Sequence, residues 1–208
     1  AAATAGVAGI VHPPADEVPD ATLIKPTPEK GARRGGNLSL GRPLGDSLID
    51  DPATGPTPTE SEKERLKNFH AKHREGGDRV ALDTVRALHA ADITFLPGSD
   101  SPNGGTIAGG TMHRDLEALV EAGFTPAEAL KAATADAAAA FKLADRGRIA
   151  EGLQADLLLV EGAPDRNIRD TRNIVAVIKA GELHRNISGC PQPSVRVSSA
   201  HEQKCEDY

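Results

Sequence analysis

Apolar positions recur along this chain at two alternating periods. From Asp78 to Ala91, Leu82, Val85 and Leu88 stand three apart and give a helix with one packing stripe. The helix runs straight into Ile93-Thr94-Phe95-Leu96, a short strand closed by Pro97-Gly98. Helical spacing returns between Thr111 and Glu121, where Leu116, Leu119 and Val120 share a side and Gly123 marks the end. Thr125-Pro126-Ala127-Glu128 then has the residues of a capping box, and opens an Ala-rich helix to about Leu143. Beyond Asp145 the texture changes to short strands: Gly147–Ile149, Ala155–Val160 and Ile174–Lys179, with a turn at 180–182 before Leu183. The unbroken run Leu157-Leu158-Leu159-Val160 predicts a buried strand.

The N-terminal third is less regular. Residues 1–6 read as the end of an Ala-rich helix, and Val7 to Val11 as a strand that stops at His12 and two prolines. A helix over 16–29 is broken by Pro19, Pro26 and Pro28. Residues 30–59 carry little beyond a strand hint at Leu38–Leu40, which makes the stretch a lid, an insertion or a degraded element. Glu60 to Glu75 is a charged helix with a solvated face that includes His70 and His73. Residues 186–208 form a polar tail. Helix-to-strand steps followed by a run of strands imply an α/β unit with a small β module appended.

Composition narrows the class. A net charge of -6 argues against nucleic acid as the main partner, since phosphate binding needs a basic face. One Tyr, four Phe and no Trp leave the core to Ala, Leu, Ile and Val. No apolar run reaches the roughly 18 residues that a membrane span needs. Cys190 and Cys205 could pair in an oxidising compartment, and Asn37 and Asn186 begin glycosylation triplets. The compartment stays open, cytoplasm or secretion.

Three residues are candidates for chemistry. Asp100 stands just past the strand at 93–96, and a loop of small residues, Ser101 to Gly110, follows it. A carboxylate there is either a turn residue or part of a site, because α/β enzymes build sites at the carboxyl ends of strands. His12 ends its own strand in the same way, as ligand or as structural imidazole. His113 lies in the first turn after the loop, facing a substrate or holding the Gly109-Gly110 loop by a local hydrogen bond.

These residues carry a resemblance. Leu96-Pro97-Gly98-Ser99-Asp100, then HRDLEALVEAGFTPAEALKAAT from His113 to Thr134, is similar to the end of a metal-dependent amidohydrolase barrel. DRGRIAEGLQADLLLVEG from Asp145 to Gly162 continues the pattern, and AGVAGIVH from Ala5 to His12 resembles the sixth barrel strand. The closest branch is the imidazolonepropionase-like and prolidase-like one. The resemblance implies the C-terminal portion of a (β/α)8 TIM-like barrel plus a small β-sandwich segment. Residues 1–143 would hold strands six to eight with an irregular insertion at 25–77, residues 144–185 the sandwich segment, and 186–208 the tail.

By the same resemblance His12 is a metal ligand and Asp100 is both a ligand and the proton-transferring acid. The cofactor is a divalent metal, zinc foremost, as one or two ions. The implied activity is hydrolysis of a carbon–nitrogen bond in a small amide, with no membrane partner. The pattern departs elsewhere. His-x-His, a fourth-strand Lys and a fifth-strand His are absent, His70 and His73 match no motif, and Gly31–Asn37 stands where a seventh strand is expected. A barrel of this kind needs about 250 residues. The alternatives are a non-catalytic remnant that serves as a binding or structural piece, or one chain of a split enzyme completed by an N-terminal partner; the partner candidates are a missing N-terminal part or, as a homo-oligomer, a further copy.

Overall fold

A computed structural model describes residues 9–11, 33–36, 59–72, 77–101 and 106–185. The expectations for 1–6, 16–29, 38–40 and the tail, with both cysteines, lie outside them. Two three-stranded sheets organise the described residues. The first contains β1 (Gly9–Val11), β2 (Arg33–Gly36) and β3 (Phe95–Pro97), in that order and all parallel. Gly9 pairs with Arg33, and Arg34 pairs with Phe95. Parallel neighbours need crossovers, and α1 (Glu60–Lys72) and α2 (Gly77–Ala90) lie between β2 and β3.

The stretch Gly31–Asn37 therefore does not replace a strand; it contains one. Arg-Arg-Gly-Gly has neither the β-branched residues nor the alternation that mark a strand. Its place comes from backbone pairing on both sides, which no side-chain pattern records. The Asp100 strand also begins later than expected, at Phe95, because Asp92 and Ile93 finish the preceding helix. Ile93 N donates to Leu88 O at 3.0 Å and Asp92 N to His89 O at 3.0 Å, with Asp92 at φ 56°. That is a Schellman ending, and it brings Ile93 against Leu88 in the core.

The same ending recurs twice. After α3 (Gly110–Glu121), Gly123 takes φ 107° and Phe124 N donates to Leu119 O at 3.1 Å. After the next helical stretch, Lys142 takes φ 58° and Leu143 N donates to Ala138 O at 2.8 Å. That stretch comprises α4 (Pro126–Lys131), a π-helical turn (Ala132–Asp136) and α5 (Ala137–Ala140). Its capping box forms as expected: Glu128 N donates to Thr125 Oγ1 at 3.2 Å, and Thr125 N to Glu128 Oε2 at 2.7 Å. The Thr125 backbone and hydroxyl together hold the Glu128 carboxyl below its ordinary pKa.

One core joins these elements. Val85, Leu88, Phe95, Leu116, Leu119 and Phe124 meet there, with Ala118, Ala122, Ala129 and Ala132 closing the gaps. Phe95 alone fills much of it at 1% exposure. The expected stripe on α2 is the one that packs.

The second sheet is antiparallel, with β5 (Ile174–Lys179) between β4 (Leu157–Val160) and β6 (Glu182–Arg185). Residues 147–149 are not part of it, since Gly147 turns at φ 87° and Ile149 is 88% exposed. Nor is β4 buried. Leu158 and Leu159 are each nearly half exposed, and Val175 and Val177 on β5 about two fifths exposed. Their apolar run reflects a sheet with two apolar faces, of which the described residues cover one in part.

Asp156 fastens the β5–β6 turn. Its carboxylate accepts from Lys179 Nζ at 2.8 Å, from Ala180 N at 2.8 Å and from Gln154 Nε2 at 3.0 Å. The Lys179 ammonium, then the Ala180 amide, then Gln154 drive its pKa far below the ordinary carboxylate value. A depressed carboxyl pKa adds stability that is complete above the unfolded pKa, about 4, and is lost as pH falls toward the folded one. Thermal melts between pH 5 and pH 2 should thus show a falling midpoint. Asp156→Asn should lower the midpoint at pH 7 and flatten that acid limb; an unchanged acid limb would remove Asp156 from this role.

Candidate active site

Asp100 lies three residues beyond the carboxyl end of β3 and is exposed. Its φ of 49° is in the left-handed region. Asp tolerates this conformation better than most residues, yet it is uncommon and recurs where a side chain must be aimed. The turn reading thus has its geometry, and the site reading has its position.

The parallel register puts the ends of β1 and β3 on one edge of the sheet. Val11 pairs with Gly35 and Gly36 with Pro97, so all three strands finish together. His12, the residue after β1, is outside the described residues. His70 lies within α1 and His73 just beyond it. Among the described residues, no group of three or more His, Cys, Asp or Glu side chains could hold a metal ion. Asp100 is the candidate donor that the described part places at this edge. A carboxylate on a strand end suits a hard or borderline divalent ion, but one oxygen donor is not a coordination set.

The loop after Asp100 returns to the core at Thr106 and Ile107, both buried. It is then clamped onto the next helix: Ile107 N donates to Thr111 Oγ1 at 2.9 Å, and Thr111 N donates back to Ile107 O at 3.3 Å. Gly109 begins α3 at φ 80°, a position that favours glycine.

His113 follows in the first turn of α3, 7% exposed, with Nδ1 3.0 Å from Thr171 Oγ1. Thr171 belongs to a 3-10 turn, Ile168–Arg172, that leads into β5. The bond to Thr171 spans 58 residues and reaches the turn before β5, so it is not the local bond to the Gly109-Gly110 loop expected from the sequence. One turn later Glu117, 5% exposed, pairs with Arg114 at 2.9 Å and with Arg172. Sequence reasoning took α3 as a plain packing helix and missed this buried ion group. The available signal was Arg114-x-x-Glu117, an i,i+3 pair on a helix whose other residues pack.

The comparisons with known proteins fall on the same elements. The profile of the Amidohydrolase family matches residues 59–184, from α1 to the end of β6. The chain belongs to the amidohydrolase family. An adenine deaminase from Halalkalibacterium halodurans is 28% identical over 152 residues, which cover 68% of this chain and 25% of that protein. A prolidase candidate from Bifidobacterium longum superposes with a TM-score of 0.63 at 28% identity, over 86% of this chain and 42% of its own. A Xaa-Pro dipeptidase, crystallised with methionine in its active site, gives a TM-score of 0.62 at 23% identity. It is covered to 41% by 88% of this chain, and that likeness shows the fold. The prolidase-like branch read from the sequence is supported. This amidohydrolase chain spans a quarter of the length of the curated relative and about two fifths of the solved structures.

Proposed function

We propose that this chain is the C-terminal part of a metal-dependent hydrolase that cleaves a carbon–nitrogen bond in a small amide or cyclic amide. The observation that carries the reading is Asp100, held left-handed past the carboxyl end of a parallel strand, within a stretch that matches the amidohydrolase family. His12 and Asp100 would hold the ion, zinc being the first candidate, and ligands from further strands of a closed barrel would complete its set. When bound, a divalent ion supplies a nucleophile at neutral pH and polarises the carbonyl. Asp100 takes up the proton of the attacking water and passes it to the departing nitrogen. The edge position suits that task, because the carboxylate is exposed to an incoming substrate.

An adenine deaminase and a Xaa-Pro dipeptidase among the relatives both cleave carbon–nitrogen bonds. An exocyclic amine and an amide before a ring nitrogen are therefore the two substrate types to try first. Nothing in the proposal calls for nucleic acid or a membrane.

The test separates enzyme part from remnant. Among the described residues, three short parallel strands leave open sheet edges, and Leu158, Val175 and Val177 leave apolar surface in water. The 208-residue chain by itself should sediment as assemblies larger than a monomer, bind zinc weakly and hydrolyse neither substrate type. Joined to upstream sequence that supplies the remaining ligands, it should become monodisperse and active, and lose activity to a chelator. A compact monomer with one equivalent of zinc and amidase activity would overturn the partial-site reading. Joined protein that folds but stays inactive toward both types would favour the remnant.

A further inference from the structure

His113 and Glu117 share one stripe of α3, and both leave the first core to meet the turn that opens the second sheet. Thr171 Oγ1 donates to Ile168 O at 2.8 Å. A hydroxyl has one proton, so this oxygen accepts from the imidazole. His113 therefore donates through Nδ1. Beside it Glu117 is enclosed by Arg114 and Arg172, both nearly buried. The same first turn of α3 is tied on its other side to the Asp100 loop, by the reciprocal Ile107 and Thr111 bonds.

We propose that His113 is a positioning residue. Through Thr171 the second sheet sets where the first turn of α3 sits, and through Thr111 that turn sets the loop behind Asp100. The second sheet is thus mechanically part of the candidate site. The consequence for catalysis rests on the reading of Asp100 given above, while the coupling itself does not.

Hydrogen–deuterium exchange read by mass spectrometry tests the coupling in the chain as it stands. Thr171→Val keeps the shape and removes the acceptor. Exchange of peptides covering 106–112 should rise about tenfold, the effect of losing roughly one hydrogen bond, and peptides over 126–140 should not change. Thr171→Ser should restore wild-type exchange. If the valine variant does not fold, Thr171→Ala removes the same acceptor without a methyl against the ring. Faster exchange confined to 168–185 would mean a local bond only and would overturn the proposal.

In the assembled enzyme, Thr171→Val should lower kcat with KM unchanged. A raised KM at constant kcat would make His113 a substrate-binding group instead. If Asp100→Asn kept full turnover while Thr171→Val still loosened 106–112, the catalytic reading would fail and the coupling would stand.

Discussion

Asp100→Asn in the assembled enzyme should reduce turnover at least about 100-fold, the lower end of what a general acid–base group contributes. The amide is nearly the same size as the carboxylate and also tolerates the left-handed φ of 49° at this position. Folding should therefore survive, which circular dichroism and the melting midpoint would verify. The two roles of Asp100 separate with a second variant. Asp100→Gly also suits a positive φ, so it should keep the turn while removing every donor. Turnover lost in both variants with the fold intact assigns the chemistry to the carboxylate. Turnover kept in Asp100→Asn would return Asp100 to the turn.

What could be read beforehand divides by where the information resides. The capping box at Thr125, the stripe on α2 and the strand at 174–179 are local patterns, and each is present. β2 was invisible because backbone pairing on both sides makes a strand from Arg-Arg-Gly-Gly without help from side chains. The form of two helix endings left no sequence signal for a related reason. Asp92 and Lys142 take the left-handed position usually given to Gly, so a search for Gly finds only the ending at 123. The position of Asp100 past its strand followed from Pro97-Gly98, whereas the tie from His113 to Thr171 spans 58 residues and leaves no trace in spacing. His12 was placed by resemblance, and its geometry is outside the described residues.

Gly147→Ala should cost the fold about 3 kcal/mol, from two sources that add. Gly147 has φ 87°, where a Cβ costs roughly 1–2 kcal/mol. That Cβ would also lie 2.5 Å from Ala138 Cβ and 2.9 Å from the Thr134 carbonyl oxygen. Neither neighbour can give way, because one is the stub of a helix and the other is backbone. Overpacking of this kind costs roughly another 1–3 kcal/mol. Gly152→Ala supplies the control, since its φ is 80° but nothing lies within 4 Å of the added methyl. It should lose only the backbone share, about 1 kcal/mol. Urea unfolding would read both, as a lower midpoint at constant slope. The difference between the two variants isolates the close approach of this loop to the π-helical turn, whose residues pack against β3, the strand that leads to Asp100. A π turn inserts one extra residue into a helix and so shifts every side chain after it. Gly147 thus seats the loop into the second sheet directly against the shifted helix. Equal losses at 147 and 152 would show that the loop is not fixed there.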